Sequence, residues 1–256
     1  MIDIHCHILP EVDDGSESLD ETLEMCRIAL ADGIATIVAT PHQQDGVYNT
    51  SVQMILECVR TVKAHLKKAD LQLQLLPGAD VRIEVDTGEK ILQGEVLSIN
   101  NTKRYFLLEF PAHAIPVNID RLIFNLLLKD ITPVLTHPER ILEVQENPNR
   151  VYELVSMGVL SQVTAMSITG EFGSRAKKCA HTLLRHNLVH VIASDAHSAD
   201  YRIPTLSDAV KVAGRMVGEE FARQMVTTVP ARIIRGEPVQ MIASPIRIQR
   251  KRFWFF

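Results

Sequence analysis

The sequence predicts an α/β fold, a parallel sheet closed into a barrel of slightly fewer than the usual eight strand–helix units. Three observations predict it. Short apolar, β-branched runs alternate with longer amphipathic stretches from one end of the chain to the other. The connections between them are short, with no internal repeat and no low-complexity segment. Six of the seven strand-like runs finish in a histidine or a carboxylate while their bodies stay apolar, as expected where loops converge at the carboxyl ends of parallel strands.

The strand-like runs cover residues 2–7, 35–42, 73–81, 105–110, 132–137, 161–165 and 189–197. Apolar residues recurring at i, i+3, i+4 and i+7 predict helices between them. The clearest is SLDETLEMCRIALADG, with Leu19, Leu23, Cys26 and Leu30 on one face, Ser18 as its N-cap, Glu21 three residues on and Gly33 as its stop. The others lie near residues 52–68, 85–93, 119–129, 149–157, 173–186 and 205–217. A chain of 256 residues with this pattern reads as one domain over residues 1–240. Residues 241–256 form a tail whose basic and aromatic end, RIQRKRFWFF, differs from everything before it. That end suits a membrane surface, a partner, or a disordered terminus.

Composition removes several function classes. A net charge of −4 gives no basic footprint for nucleic acid. No apolar run approaches the roughly 20 residues of a membrane span, and the chain opens without the pattern of a secretory leader, so a cytoplasmic location is expected. Cys6, Cys26, Cys58 and Cys179 are scattered without paired spacing, which reads as reduced thiols rather than disulfides or a thiolate zinc site.

The chemistry begins with HCHILPEVDDG. In a strand, His5 and His7 point to one face, a chelating geometry. Alone, the pair could simply flank a strand end. The later strand ends decide: His42 closes the second run, Asp80 the third, Glu109 the fourth, His137 the fifth, and Asp195 with His197 the seventh. The sixth, SQVTAMS, is read as offering only hydroxyls. Buried charge at this density needs compensation by metal ions or by opposite charge. Imidazole and carboxylate donors without thiolate suit Zn, Mn or Fe. With Asp14 from the first loop there are nine candidate ligands, enough for two or three divalent ions.

HCHILPEVDDG, ATPH, LLPGAD, LLEF, THPER and ASDAH together resemble the successive motifs of the polymerase-and-histidinol-phosphatase (PHP) superfamily. Within it, the chain is most similar to the CpsB/CapC-type bacterial protein tyrosine phosphatases of capsule and exopolysaccharide synthesis, from residue 1 to about residue 235. The resemblance implies a distorted (β/α)7 barrel with a trinuclear centre, usually manganese-activated. It implies that His5, His7, Glu109 and Asp195 hold one ion, and that Glu109 bridges to a second ion taking His137. Asp14, His42 and His197 would help hold a third and orient substrate. Asp80 stands where the family usually has Glu, one methylene longer.

Such a site suits phosphate-ester hydrolysis, in which a metal hydroxide attacks phosphorus directly and no phosphoenzyme forms. The resemblance implies that Arg140 and Arg202 bind the phosphoryl group, for which a guanidinium is geometrically matched. Asp14 or His197 could protonate the leaving phenolate. The expected substrate is a phosphotyrosine-bearing protein, foremost a polysaccharide-export tyrosine kinase, and the short rim QQDGVYNT suggests an open mouth. The alternatives are a small-molecule PHP phosphatase such as a histidinol phosphatase, a metal-dependent amidohydrolase, and a non-catalytic regulator.

One decoy is set aside. Cys179 and Arg185 in CAHTLLR have the spacing of a thiol-phosphatase loop, but that chemistry needs a glycine-bearing phosphate cradle, and this stretch is helical in pattern. His65, His181, His186 and His190 read as surface or packing residues, and His113 as a residue that could reach the rim.

Overall fold

The structure, a computed structural model, describes residues 1–48, 50–240 and 243–249. Its strands are β1 (Ile2–Cys6), β2 (Thr36–Ala39), β3 (His42–Gln43), β4 (Gln74–Pro77), β5 (Asp80–Arg82), β6 (Tyr105–Glu109), β7 (Thr132–Thr136), β8 (Leu160–Thr164) and β9 (Val191–Ala193). They form two sheets, β1-β2-β4 and β3-β5-β6-β7-β8-β9, with every pairing parallel.

These nine segments occupy seven positions around a barrel. The run over residues 35–42 is broken into β2 and β3 at Pro41, which has no N–H to give a ladder. The run over 73–81 breaks into β4 and β5 at Gly78, where an added Cβ would lie 2.7 Å from the Val38 side chain. The first and last strands meet through a parallel bridge between Cys6 and Ala196, with Asp195 N donating to His5 O at 2.8 Å and His7 N to Ala196 O at 2.8 Å. The ring closes there, distorted by the two breaks.

The barrel interior changes character along its axis. At the amino end Ile4, Val38, Leu76, Leu107, Val134, Leu160 and Val191 pack on Ile99 and on Val229 and Ile233 of the helix Thr228–Ile234, a dry floor. Two to four residues further along the same strands stand His42, Asp80, Glu109, Gln162 and Asp195, an even spacing that carries one inward face from apolar to polar, while His137, three residues after Val134, turns inward through its left-handed backbone. In β1 a register shift between Asp3 and Cys6 rephases the strand, so that Ile4 joins the floor and His5 still reaches Gln162 inside the barrel. The larger cluster lies between the outer strand faces and the surrounding helices.

The helices over Val52–Lys68 and Asn149–Met157 fall where the periodicity puts them. In the helix Leu19–Ala31 Ser18 caps as expected, accepting from Glu21 N at 3.2 Å, but the deepest residues are Thr22, Met25, Cys26 and Ala29. Leu19, Leu23 and Leu30 only flank that stripe. Residues 243–249 run back over the body: Ile246 N donates to His186 O at 2.8 Å, and the Asn149 amide both donates to and accepts from the Ile248 backbone at 2.9 Å. Residues 250–256, with the basic aromatic end, lie outside the described residues.

Candidate metal centre

All nine sequence-derived ligand candidates converge at the carboxyl end of the barrel. Three groups form, in each of which one donor atom per residue lies within 4.8 Å of the others: His5, His7 and Asp80; His42, Asp80 and Glu109; and His7, Asp14, His42 and His197. His5 Nε2 is 3.4 Å from Asp80 Oδ2, 3.3 Å from Asp195 Oδ1 and 3.2 Å from His7 Nε2. His42 Nδ1 is 3.5 Å from Glu109 Oε2, and His137 Nε2 is 3.9 Å from both Asp80 Oδ2 and Glu109 Oε1. Asp14 Oδ1 stands 3.5 Å from His42 Nε2 and 3.6 Å from His197 Nε2. Metal–ligand bonds of roughly 2.0–2.2 Å separate neighbouring ligands by about 3–3.6 Å, close to these spacings.

The donor set fits a cation by a second observation. Asp80 is fully buried and, among the described residues, neither of its oxygens has a hydrogen-bond partner, nor has His42 Nδ1. A buried carboxylate without donors is costly unless a positive charge compensates it. The carboxylates lying against His5 are Asp80 and Asp195, while Glu109, expected beside His5, faces His42 and His137.

Backbone geometry aims the groups. His137 at φ 33° and Asp195 at φ 52° are in the left-handed region, unfavourable for side chains of this size and concentrated at functional sites. Gly15 passes so close to His7 that a Cβ there would sit 2.0 Å from His7 O, so only glycine lets the first loop fold over β1.

Electrostatics follow from this crowding. Burial alone would lower His5, but the charges of Asp80 and Asp195 push it up to about 9. Burial opposes ionisation of Asp80, yet His5, His137 and His42 hold it below the usual carboxylate range. Asp195 is likewise held well below, against burial, by His5 and Arg202. Glu109 is pushed up to about 7 by burial and by Asp80. Burial and Arg140 push His137 down to about 3, and burial with neighbouring His197 and His42 lowers His7. Neutral His7 and His137 and ionised Asp80 and Asp195 are the forms that ligate cations, whereas His5 must give up the proton that Asp80 and Asp195 favour on it when a cation binds.

Several residues here escaped the sequence reading. Asp13, not only Asp14, turns inward: its Oδ2 is 2.6 Å from His7 Nδ1 and accepts His42 N at 2.9 Å. The sixth strand offers more than hydroxyls, because Gln162 Oε1 accepts from His5 Nδ1 at 2.9 Å. Asp3, fully buried, takes the backbone N–H groups of His5 and Ser194. Tyr48 stacks on His42, centroids 6.0 Å apart and planes 7° apart. Outer partners of this kind fix ring tautomers and ligand orientation.

At the rim, Arg140 and Arg202 both reach Asp195 Oδ2, Arg202 Nη2 at 2.7 Å, and both guanidiniums lie over the Phe172 ring. His113 is exposed on the loop after β6. Cys179 is buried in the helix Gly173–Arg185, its thiol pushed up to about 12 by burial and Glu139, and so is no nucleophile. His190 is a packing residue, buried, with Nδ1 accepting Ser161 N at 3.0 Å.

A parallel barrel with an imidazole–carboxylate cluster at the carboxyl ends of its strands defines a metal-dependent barrel hydrolase. Residues 1–235 match the family model for capsular polysaccharide synthesis proteins of CpsB/CapC type, and the chain belongs to that family. It is 38% identical to tyrosine-protein phosphatase YwqE of Bacillus subtilis over 100% of both chains. It is 34% identical to tyrosine-protein phosphatase CpsB of Streptococcus pneumoniae, over 93% of this chain and 99% of that one. A crystal structure from the study of YwqE and CpsB, described as unique metal-dependent tyrosine phosphatases, superposes with a TM-score of 0.93 at 37% identity, covering 98% of this chain and 100% of that chain. The L-hydantoinase of Arthrobacter aurescens shares the fold alone, at 12% identity and a TM-score of 0.55 over 95% of this chain and 73% of that one.

Proposed function

We propose that this protein is a tyrosine-protein phosphatase that depends on two or three divalent ions, manganese foremost, held by His5, His7, Asp14, His42, Asp80, Glu109, His137, Asp195 and His197. The observation that carries the reading is the juxtaposition of the converging imidazole–carboxylate cluster around the buried Asp80 with two guanidiniums at its rim. Bound divalent ions supply charge for the phosphoryl oxygens and a water acidified toward neutrality. Donors without thiolate and rich in carboxylate suit manganese, with iron and zinc as competitors.

The chain's own residues do the rest. Arg140 and Arg202, anchored on Asp195, bind and orient the phosphoryl group with their remaining N–H donors. Asp14, about half exposed beside His42 and His197, is the ligand candidate most open to solvent and is placed to pass a solvent proton to the leaving oxygen. A tyrosine phenolate, with a pKa near 10, needs only modest protonation on leaving. His197 is lowered chiefly by burial, which favours the neutral, ligating form of its ring. The capsule-synthesis family supports a polysaccharide-export tyrosine kinase as the phosphoprotein substrate.

The test is phosphate release from a phosphotyrosine peptide and from histidinol phosphate, with protein stripped by chelator and resupplied with manganese. Manganese-dependent turnover of the peptide is expected. Turnover of histidinol phosphate alone would move the substrate to small metabolites and overturn the tyrosine assignment.

A further inference from the structure

Phe172 is half-buried yet belongs to neither hydrophobic cluster. Its ring instead meets two cations, with Arg140 Cζ 4.7 Å and Arg202 Cζ 5.6 Å from the ring centroid. We propose that Phe172 is a positioning residue for phosphate binding, holding the Arg140 and Arg202 guanidiniums over its ring without a hydrogen-bond acceptor of its own, so that their remaining N–H donors serve the substrate's phosphoryl oxygens. The inference rests on the phosphatase reading above and extends it to a residue that touches no substrate.

A guanidinium has five N–H donors in a plane. Arg140 engages Asp195 through Nη1, and Arg202 engages the Asp195 backbone and side chain through Nη2, at 2.9 and 2.7 Å. A further carboxylate would fix the guanidiniums only by occupying more of the donors that phosphate needs. An aromatic face attracts the cation and occupies none.

The ring is also well mounted. Phe172 caps the helix Gly173–Arg185, and its N–H reaches Met166 O at 3.4 Å on the helix Ala165–Thr169. Gly170 at φ +116° and Gly173 at φ +88° make the two turns that bring the ring round, conformations that side chains rarely adopt. The arginine side is tied to the same place, because Glu139 Oε1 accepts Thr164 N at 3.1 Å and so pins the turn carrying Arg140 to the end of β8.

The experiment compares Phe172→Leu, which keeps an apolar side chain but removes the ring, with Phe172→Tyr, which keeps the ring. The readouts are KM and kcat on the phosphotyrosine peptide, and the affinity for inorganic phosphate measured by calorimetry on manganese-loaded protein. For Phe172→Leu we expect KM to rise and phosphate affinity to fall by about tenfold, with kcat changed much less and bound metal unchanged. Phe172→Tyr should remain within about twofold of the parent in both. A Leu variant matching the parent, or a Tyr variant as impaired as the Leu variant, would overturn the inference. A parent protein that fails to hydrolyse the peptide would sink the phosphatase reading instead, and the phosphate affinities would still decide the role of the ring.

Discussion

Replacing Asp13 by asparagine changes one atom and inverts a hydrogen bond. Asp13 Oδ2 sits 2.6 Å from His7 Nδ1 and accepts His42 N at 2.9 Å, while Oδ1 accepts Gly15 N at 3.1 Å. A carboxylate there keeps the His7 proton on Nδ1 and turns the Nε2 lone pair toward His5 Nε2 and Asp195 Oδ1, 3.2 and 3.6 Å away. Asparagine has one acceptor oxygen for three donors. If that oxygen faces His7, the amide N–H group opposes Gly15 N–H; if it faces Gly15, the amide donates to His7 Nδ1 and drives the proton onto Nε2. Loss of such an outer partner weakens metal binding about 10–100-fold, or about 1.4–2.7 kcal/mol. At fixed metal the same amount is missing from ligand-linked stability, which for a chain of this size is about 3–10 °C of Tm. The assay is the manganese-induced shift in Tm, measured against each variant's own metal-free state. A parent-like shift in Asp13→Asn would refute the assignment of Asp13 as the partner that fixes His7.

Three further outcomes are expected. Cys179→Ser should keep phosphatase activity within about twofold, since a buried thiol held near 12 supplies no thiolate; phosphate-release kinetics check this. Gly15→Ala should cost about 1–3 kcal/mol in stability and abolish tight manganese binding, because its Cβ would displace His7; thermal melts with and without metal read both. Burial lowers His190 to about 4 from an ordinary value of 6.5. Between those values the unfolded chain takes up the proton and the folded one does not, so stability falls as pH drops through that window, by about 3 kcal/mol in total. Urea melts at pH 7 and pH 4 should show a smaller acid loss in His190→Asn than in the parent.

Much of the fold was legible because the inward face of most strands has period 2 and ends in a polar, mostly metal-ligating side chain. The same runs that pack Val38, Leu76 and Leu107 on the floor carry His42, Asp80 and Glu109 to the mouth. The strand breaks at Pro41 and Gly78 lay inside runs whose apolar pattern continues across them. Asp13 was hidden because adjacent aspartates differ only in which one turns inward, a matter of loop backbone; the nearby Gly15 was the available clue. Gln162 carried a clearer signal, an amide on the inward parity of an apolar strand. Phe172 could not be read, since its partners stand 32 residues before it and 30 after it in the chain. The phase of the first helix shifted toward Thr22 and Ala29 because small residues let it approach the barrel more closely than its leucines do.

The central claim is that His5, Asp80 and their neighbours hold the ions on which hydrolysis depends. Elemental analysis of bound metal, taken along a manganese titration of chelator-stripped protein with phosphate release from a phosphotyrosine peptide measured at each point, tests it most directly. The account predicts saturation at two or three ions per chain, the three ligand groups sharing members, with activity rising in step with occupancy. Undiminished hydrolysis by protein holding almost no metal would contradict it.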